Sequence, residues 1–135
     1  MHDPDDVARW QAEVLDLVAG LPETVTSESG AGHTFKVRKK TFAHLLVDHH
    51  GDDRVGLWFK AAPGVQQELL EVEADRFYVP PYLGPHGWVA LDLEAAPVER
   101  AELAQTLDDA WRLAAPKTVV ARRDAERAAG EAGDP

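Results

Sequence analysis

The stretch His33-Thr34-Phe35-Lys36-Val37-Arg38-Lys39-Lys40-Thr41-Phe42-Ala43-His44-Leu45-Leu46-Val47 decides the fold. From His33 to Arg38 the residues alternate. Phe35 and Val37 fall on one side, with Thr34, Lys36 and Arg38 on the other, the period of two expected of a half-buried strand. Lys39 and Lys40 read as a tight connection. Thr41 to Val47 is apolar on both sides, as in a central strand covered on both faces. Strands joined by so short a link pair antiparallel.

Working outward, Glu23 to Ser29 is a candidate first strand, broken at Gly30-Ala31-Gly32. Asp48-His49-His50-Gly51-Asp52-Asp53 is a turn cluster, and Arg54 to Lys60 alternates again, with Val55, Leu57 and Phe59 opposite Gly56, Trp58 and Lys60. A helix is predicted from about Pro63 to Glu73. Phe77 to Pro85 carries too much proline for an interior strand and reads as an ordered aromatic loop. His86 to Leu93 returns to strand alternation. At the start of the chain, Asp3, Pro4, Asp5 and Asp6 suit a helix N-terminus. Val7, Trp10, Val14, Leu17, Val18 and Leu21 give that helix one apolar stripe. A last long helix opens near Pro97 and closes at Pro116. The expected organisation is a single α+β domain over residues 1–120, with a short helical or frayed tail over 121–135.

Helix, strands with a helix inserted, then helix is an α+β order with the terminal helices on one face of the sheet. Phe35, Val37, Val55, Leu57, Phe59, Val89, Leu91 and Leu93 then face the helices. Thr34, Lys36, Arg38, Trp58, Lys60 and Trp88 face away. Two indoles among cations form a candidate contact face, since aromatic planes stack on bases and cations hold phosphate. The plain alternative is that the proline-rich loop covers the tryptophans, with the lysine stems lying over them.

Composition limits the function classes. The net charge is −10 and cysteine is absent, which excludes disulfides, thiol nucleophiles and cysteine metal sites and fits a reducing, cytoplasmic setting. No apolar run approaches the roughly 20 residues of a membrane helix. An acidic domain repels polyanions at long range, so any nucleic-acid role requires a local basic patch. The run Lys36-Val37-Arg38-Lys39-Lys40 is the one strong positive segment. As a β-ribbon it suits a phosphate backbone; as an edge device it simply blocks aggregation.

Several motifs recur in a known family. Phe35-Lys36-Val37 followed by Lys40-Thr41-Phe42-Ala43, then Leu57-Trp58-Phe59-Lys60 with Pro63-Gly64-Val65, then Pro81-Tyr82 with Gly87-Trp88-Val89 and Leu91, resembles the MmcQ/YjbR-like proteins over roughly residues 7–120. The resemblance implies a CyaY-like fold, an antiparallel sheet with helices on one face, and a DNA-binding role. Lys39 stands where that hairpin usually has glycine, and Pro85-His86 stands where relatives tend to carry a basic or amide residue.

Catalytic signatures are lacking. Ser27 and Ser29 have no nucleophile-elbow context, and Gly30-Ala31-Gly32 lacks phosphate-loop spacing. The adjacent Asp and His residues at 48–53 rarely converge on one ion, so no metal and no cofactor is expected. The expectation is therefore a non-enzymatic binding module. Its candidate site is Lys36, Arg38, Lys39, Lys40, Trp58, Lys60, Tyr82 and Trp88, with DNA as partner and no membrane. The alternatives are a small anionic or aromatic ligand in a pocket of Trp88, Tyr82, His44 and Lys60, or a protein partner on the same face.

Overall fold

The computed structural model describes residues 3–30, 32–51 and 54–132. The turn expected at Asp52-Asp53, the glycine break at Ala31 and the last three residues of the tail lie outside the described residues. Helix α1 (Pro4–Ala19) starts where expected, with the Asp3 carboxylate accepting from the Asp5 amide at 2.8 Å. The strands are β1 (Thr24–Ser29), β2 (Gly32–Val37), β3 (Lys40–Val47), β4 (Val55–Phe59), β5 (Phe77–Tyr78) and β6 (Val89–Asp92). Helices α2 (Val65–Val72), α3 (Arg100–Ala114) and α4 (Lys117–Ala132) complete the chain.

The strands form one antiparallel sheet in the order β1-β2-β3-β4-β6-β5. Helices α1 and α3 pack on one face of it, as expected. All eight residues assigned to that face by alternation are buried in one core with Val14, Val18, Leu103, Leu107 and Trp111. Burying each such side chain contributes about 1.5–3 kcal/mol before chain entropy is counted. The proline-rich segment does include a strand, β5. It is two residues long and lies at the sheet edge, where the following proline removes no ladder bond.

Alternation fails at one place. Phe35 pairs with Ala43 but Lys36 pairs with Thr41, so β3 carries one extra residue, Phe42. This bulge turns Phe42 and Ala43 both into the helix-side core. The β2–β3 turn is Arg38-Lys39, with Lys40 already in β3, so the connection lies one residue earlier than the sequence suggests.

Helix α4 continues across the expected boundary at residue 120 and docks by Val119, buried, and by Arg123. The buried Asp108 carboxylate of α3 receives Arg112 and Arg123 at 2.6 and 3.0 Å, with Arg127 at 3.8 Å. The Trp111 indole donates to the Pro22 carbonyl and the Arg123 guanidinium to that of Gly20, joining α3 and α4 to the turn before β1.

Candidate functional site

Residues 38 and 39 adopt φ of 48° and 71°, the left-handed pair by which a two-residue hairpin follows the strand twist. This tight turn exposes Lys36, Lys39 and Lys40 on one ribbon. None of the three has an ion pair among the described residues. Arg38 differs. Its guanidinium donates twice to the Glu23 carboxylate, at 2.6 and 3.1 Å, which neutralises it and holds the turn against β1. The same hydrogen bonds push the Glu23 carboxyl below, and the Arg38 guanidinium above, their ordinary ranges. The ribbon therefore presents three lysines, and the expected fourth cation is taken.

On the sheet face without α1 and α3, pairing aligns Thr34, His44, Trp58, Ala90 and Tyr78 in one cross-strand row. Trp58 and Trp88 do lie on this side, in a second small core with Ala90, apart from the main one. Neither is a free platform: Trp58 is 4 % and Trp88 7 % exposed. The expected open aromatic face is corrected here, because Tyr78, Leu46 and Leu83 cover the indoles. The His49 ring meets Trp58 edge-on at 4.8 Å. The Trp58 indole donates to the Tyr78 hydroxyl at 3.2 Å, and the Arg54 guanidinium lies 4.0 Å over the Tyr78 ring. The Gln66 amide of α2 donates to the carbonyls of Gly84 and Trp88 at 2.9 and 2.7 Å, pinning the loop before β6. Buried rings offer bases no face to stack on.

His44 stands at the centre of the row. Its Nδ1 is 3.0 Å from the Thr34 hydroxyl, and its ring is 5.7 Å from that of Trp88. Burial lowers its pKa below the ordinary value, helped by the positive fields of Lys36 and His49. It is therefore neutral at pH 7.

Two further candidates are displaced. Strand β4 ends at Phe59, and Lys60 lines a groove on the helix side, so it does not join the tryptophans. Tyr82 is 81 % exposed and outside the indole cluster, whose contact from that loop is Leu83. The groove that Lys60 lines includes none of Trp88, Tyr82 and His44, so the expected pocket of these four residues is not the one Lys60 joins. The sequence does not mark Tyr78, Gln66 and His49 as partners of the tryptophans. Only Tyr78 carries a signal, an aromatic residue two positions before Pro80.

A family model described as YjbR matches residues 19–113. The crystal structure of Deinococcus radiodurans protein DR2400, described as a DUF419 domain, is similar to this chain at a TM-score of 0.63 and 19% identity. The match covers 76% of each chain. No curated protein matches. Among the described residues no helix is long and apolar enough to cross a membrane.

Proposed function

The chain belongs to the YjbR family, and from that premise we propose that it is a non-enzymatic, cytoplasmic binding module that engages DNA phosphate through the β2–β3 hairpin. One observation carries the proposal: Lys36, Lys39 and Lys40 are exposed on a single ribbon without a carboxylate partner among the described residues. By contrast Arg38 of the same hairpin, and Arg76, Arg100, Arg112 and Arg123 elsewhere, each hold a carboxylate of the chain itself. The hairpin lysines stand together on one ribbon, whereas Lys60, Lys117 and Arg122 lie apart from it along the chain.

The charge of −10 sets the terms. At physiological ionic strength fields are screened over about 8 Å, so the hairpin acts at contact range while the acidic surface limits approach. Binding is then weak and indifferent to sequence, because phosphates and not base edges are touched. Three phosphate contacts predict a slope of log K against log salt of about −2.7.

The test is titration of labelled single- and double-stranded DNA over a salt series. Replacing Lys39 and Lys40 together by Glu should abolish binding to both. Absence of binding at low salt, or binding that survives this replacement, overturns the proposal.

A further inference from the structure

We propose that the groove between α2 and α3 is a binding site for a small amphipathic amine, an aromatic or aliphatic body carrying one primary ammonium group. The groove has a volume of about 430 Å³, within the range of small-molecule pockets. Its floor is Phe59 and Phe77, whose rings meet edge-on at 6.4 Å. Val65 and Leu69 of α2 form one wall, and Thr106 and Leu113 of α3 the other. Leu113 is 41 % exposed, and α2 buries no residue fully, so its apolar face lacks a complete cover. An apolar body fits that space.

The charge of the ligand follows from the carboxylates that line the groove. At one end the Arg76 guanidinium ties the helices together, donating to Glu73 and to Glu102 through the Oε1 atom of each. Two carboxylates share one cation, which leaves a net negative charge. Each Oε2 has no partner among the described residues. A second cation completes this cluster, whereas an anion would meet two carboxylates across a narrow apolar slot. Toward the other end lie Lys60, Arg112 and the Asp109 carboxylate, and Arg112 is already held by Asp108 and Asp124. Lys60 is thus the one lining cation without a carboxylate among the described residues, and an ammonium is directed away from it toward Glu73 and Glu102. The acidic surface as a whole also concentrates cations.

Three probes with one common body separate these terms: phenylbutylamine, phenylbutyrate and phenylbutanol, titrated calorimetrically into the full chain. The amine should bind about tenfold tighter than the other two, the worth of one charge-assisted hydrogen bond. That preference should shrink as salt is raised. Glu73→Gln should reduce amine binding to the level of the alcohol. Leu69→Gln should weaken all three probes, since it acts on the body they share. The site is overturned if none of the three binds at millimolar concentration, or if Leu69→Gln leaves binding unchanged. The charge assignment is overturned if phenylbutyrate equals or exceeds the amine, or if the preference ignores salt. Should Glu73→Gln fail to fold, the salt dependence with the natural chain still decides.

Discussion

The Trp58 indole N–H and the Tyr78 hydroxyl meet at 3.2 Å across the intervening strand, above Ala90, which pairs with both residues. The contact depends on small neighbours. Ala90 leaves room for two large rings to close over it, and a Cβ on Gly56 would overlap the Tyr78 hydroxyl. Tyr78→Phe strands a buried indole donor and should cost about 1–3 kcal/mol. Gly56→Ala forces the tyrosine aside and should cost about as much through overpacking. Both should lower the midpoint of chemical denaturation and red-shift tryptophan emission as water reaches Trp58. A midpoint unchanged by Tyr78→Phe would mean that the hydrogen bond contributes nothing.

Where one element settles the outcome, the sequence is a sound guide. Strand alternation placed Phe35, Val37, Val55, Leu57, Phe59, Val89, Leu91 and Leu93 against the helices, and each is buried there. It also sent Trp58 and Trp88 to the opposite side, because the side of a strand is a local property. It could not tell whether that side is open. The cover comes from Tyr78 and Leu83, with Gln66 pinning the Trp88 carbonyl, in segments whose path depends on tertiary pairing. Phe42 escaped for a related reason: a bulge shifts parity by one, and no glycine marks it. Lys60 lies just past the end of β4, where alternation no longer applies.

His44 makes stability depend on pH. Its folded pKa lies below the 6.5 of the free side chain, through burial first and then the positive fields of Lys36 and His49. Below pH 6.5 the unfolded chain therefore takes up a proton that the folded chain resists. The stabilisation is complete above pH 6.5 and is lost as pH falls toward the folded pKa. His44→Gln should flatten the stability curve below pH 6.5 relative to the natural chain. Denaturant midpoints at several pH values measure the difference. Parallel curves for the two proteins would assign the slope to other groups.

Lys39 holds a φ of 71°, a region costly for a residue with a side chain. Glycine is relaxed there, though it adds freedom to the unfolded chain. Lys39→Gly should raise stability by about 0.5–1 kcal/mol. It should also weaken any DNA binding by removing one of three contacts. Opposite signs on folding and binding distinguish a residue kept for contact from one kept for the turn. A variant less stable than the natural chain would show that the lysine stem packs usefully.

Asp108 is the point on which α4 turns. The residue is 7 % exposed, and its carboxylate accepts from Arg112 of its own helix and Arg123 of α4, with Arg127 close by. Asp108→Asn keeps the volume but removes the charge that faces three guanidinium groups. These groups retain some contact with water, so the loss is smaller than for a fully buried pair, about 1–3 kcal/mol. It should fall unevenly. Helix α4 is otherwise anchored by Val119, by Asp124 to Arg112 and by Arg123 to the Gly20 carbonyl, while the sheet has its own core. Local opening of α4 should therefore increase more than global unfolding. Trypsin should cleave after Arg122, Arg123 and Arg127 faster in the variant, under conditions where the sheet stays protected from hydrogen exchange. Equal acceleration of cleavage and of exchange in β3 and β4 would instead show that α4 and the sheet unfold as one unit.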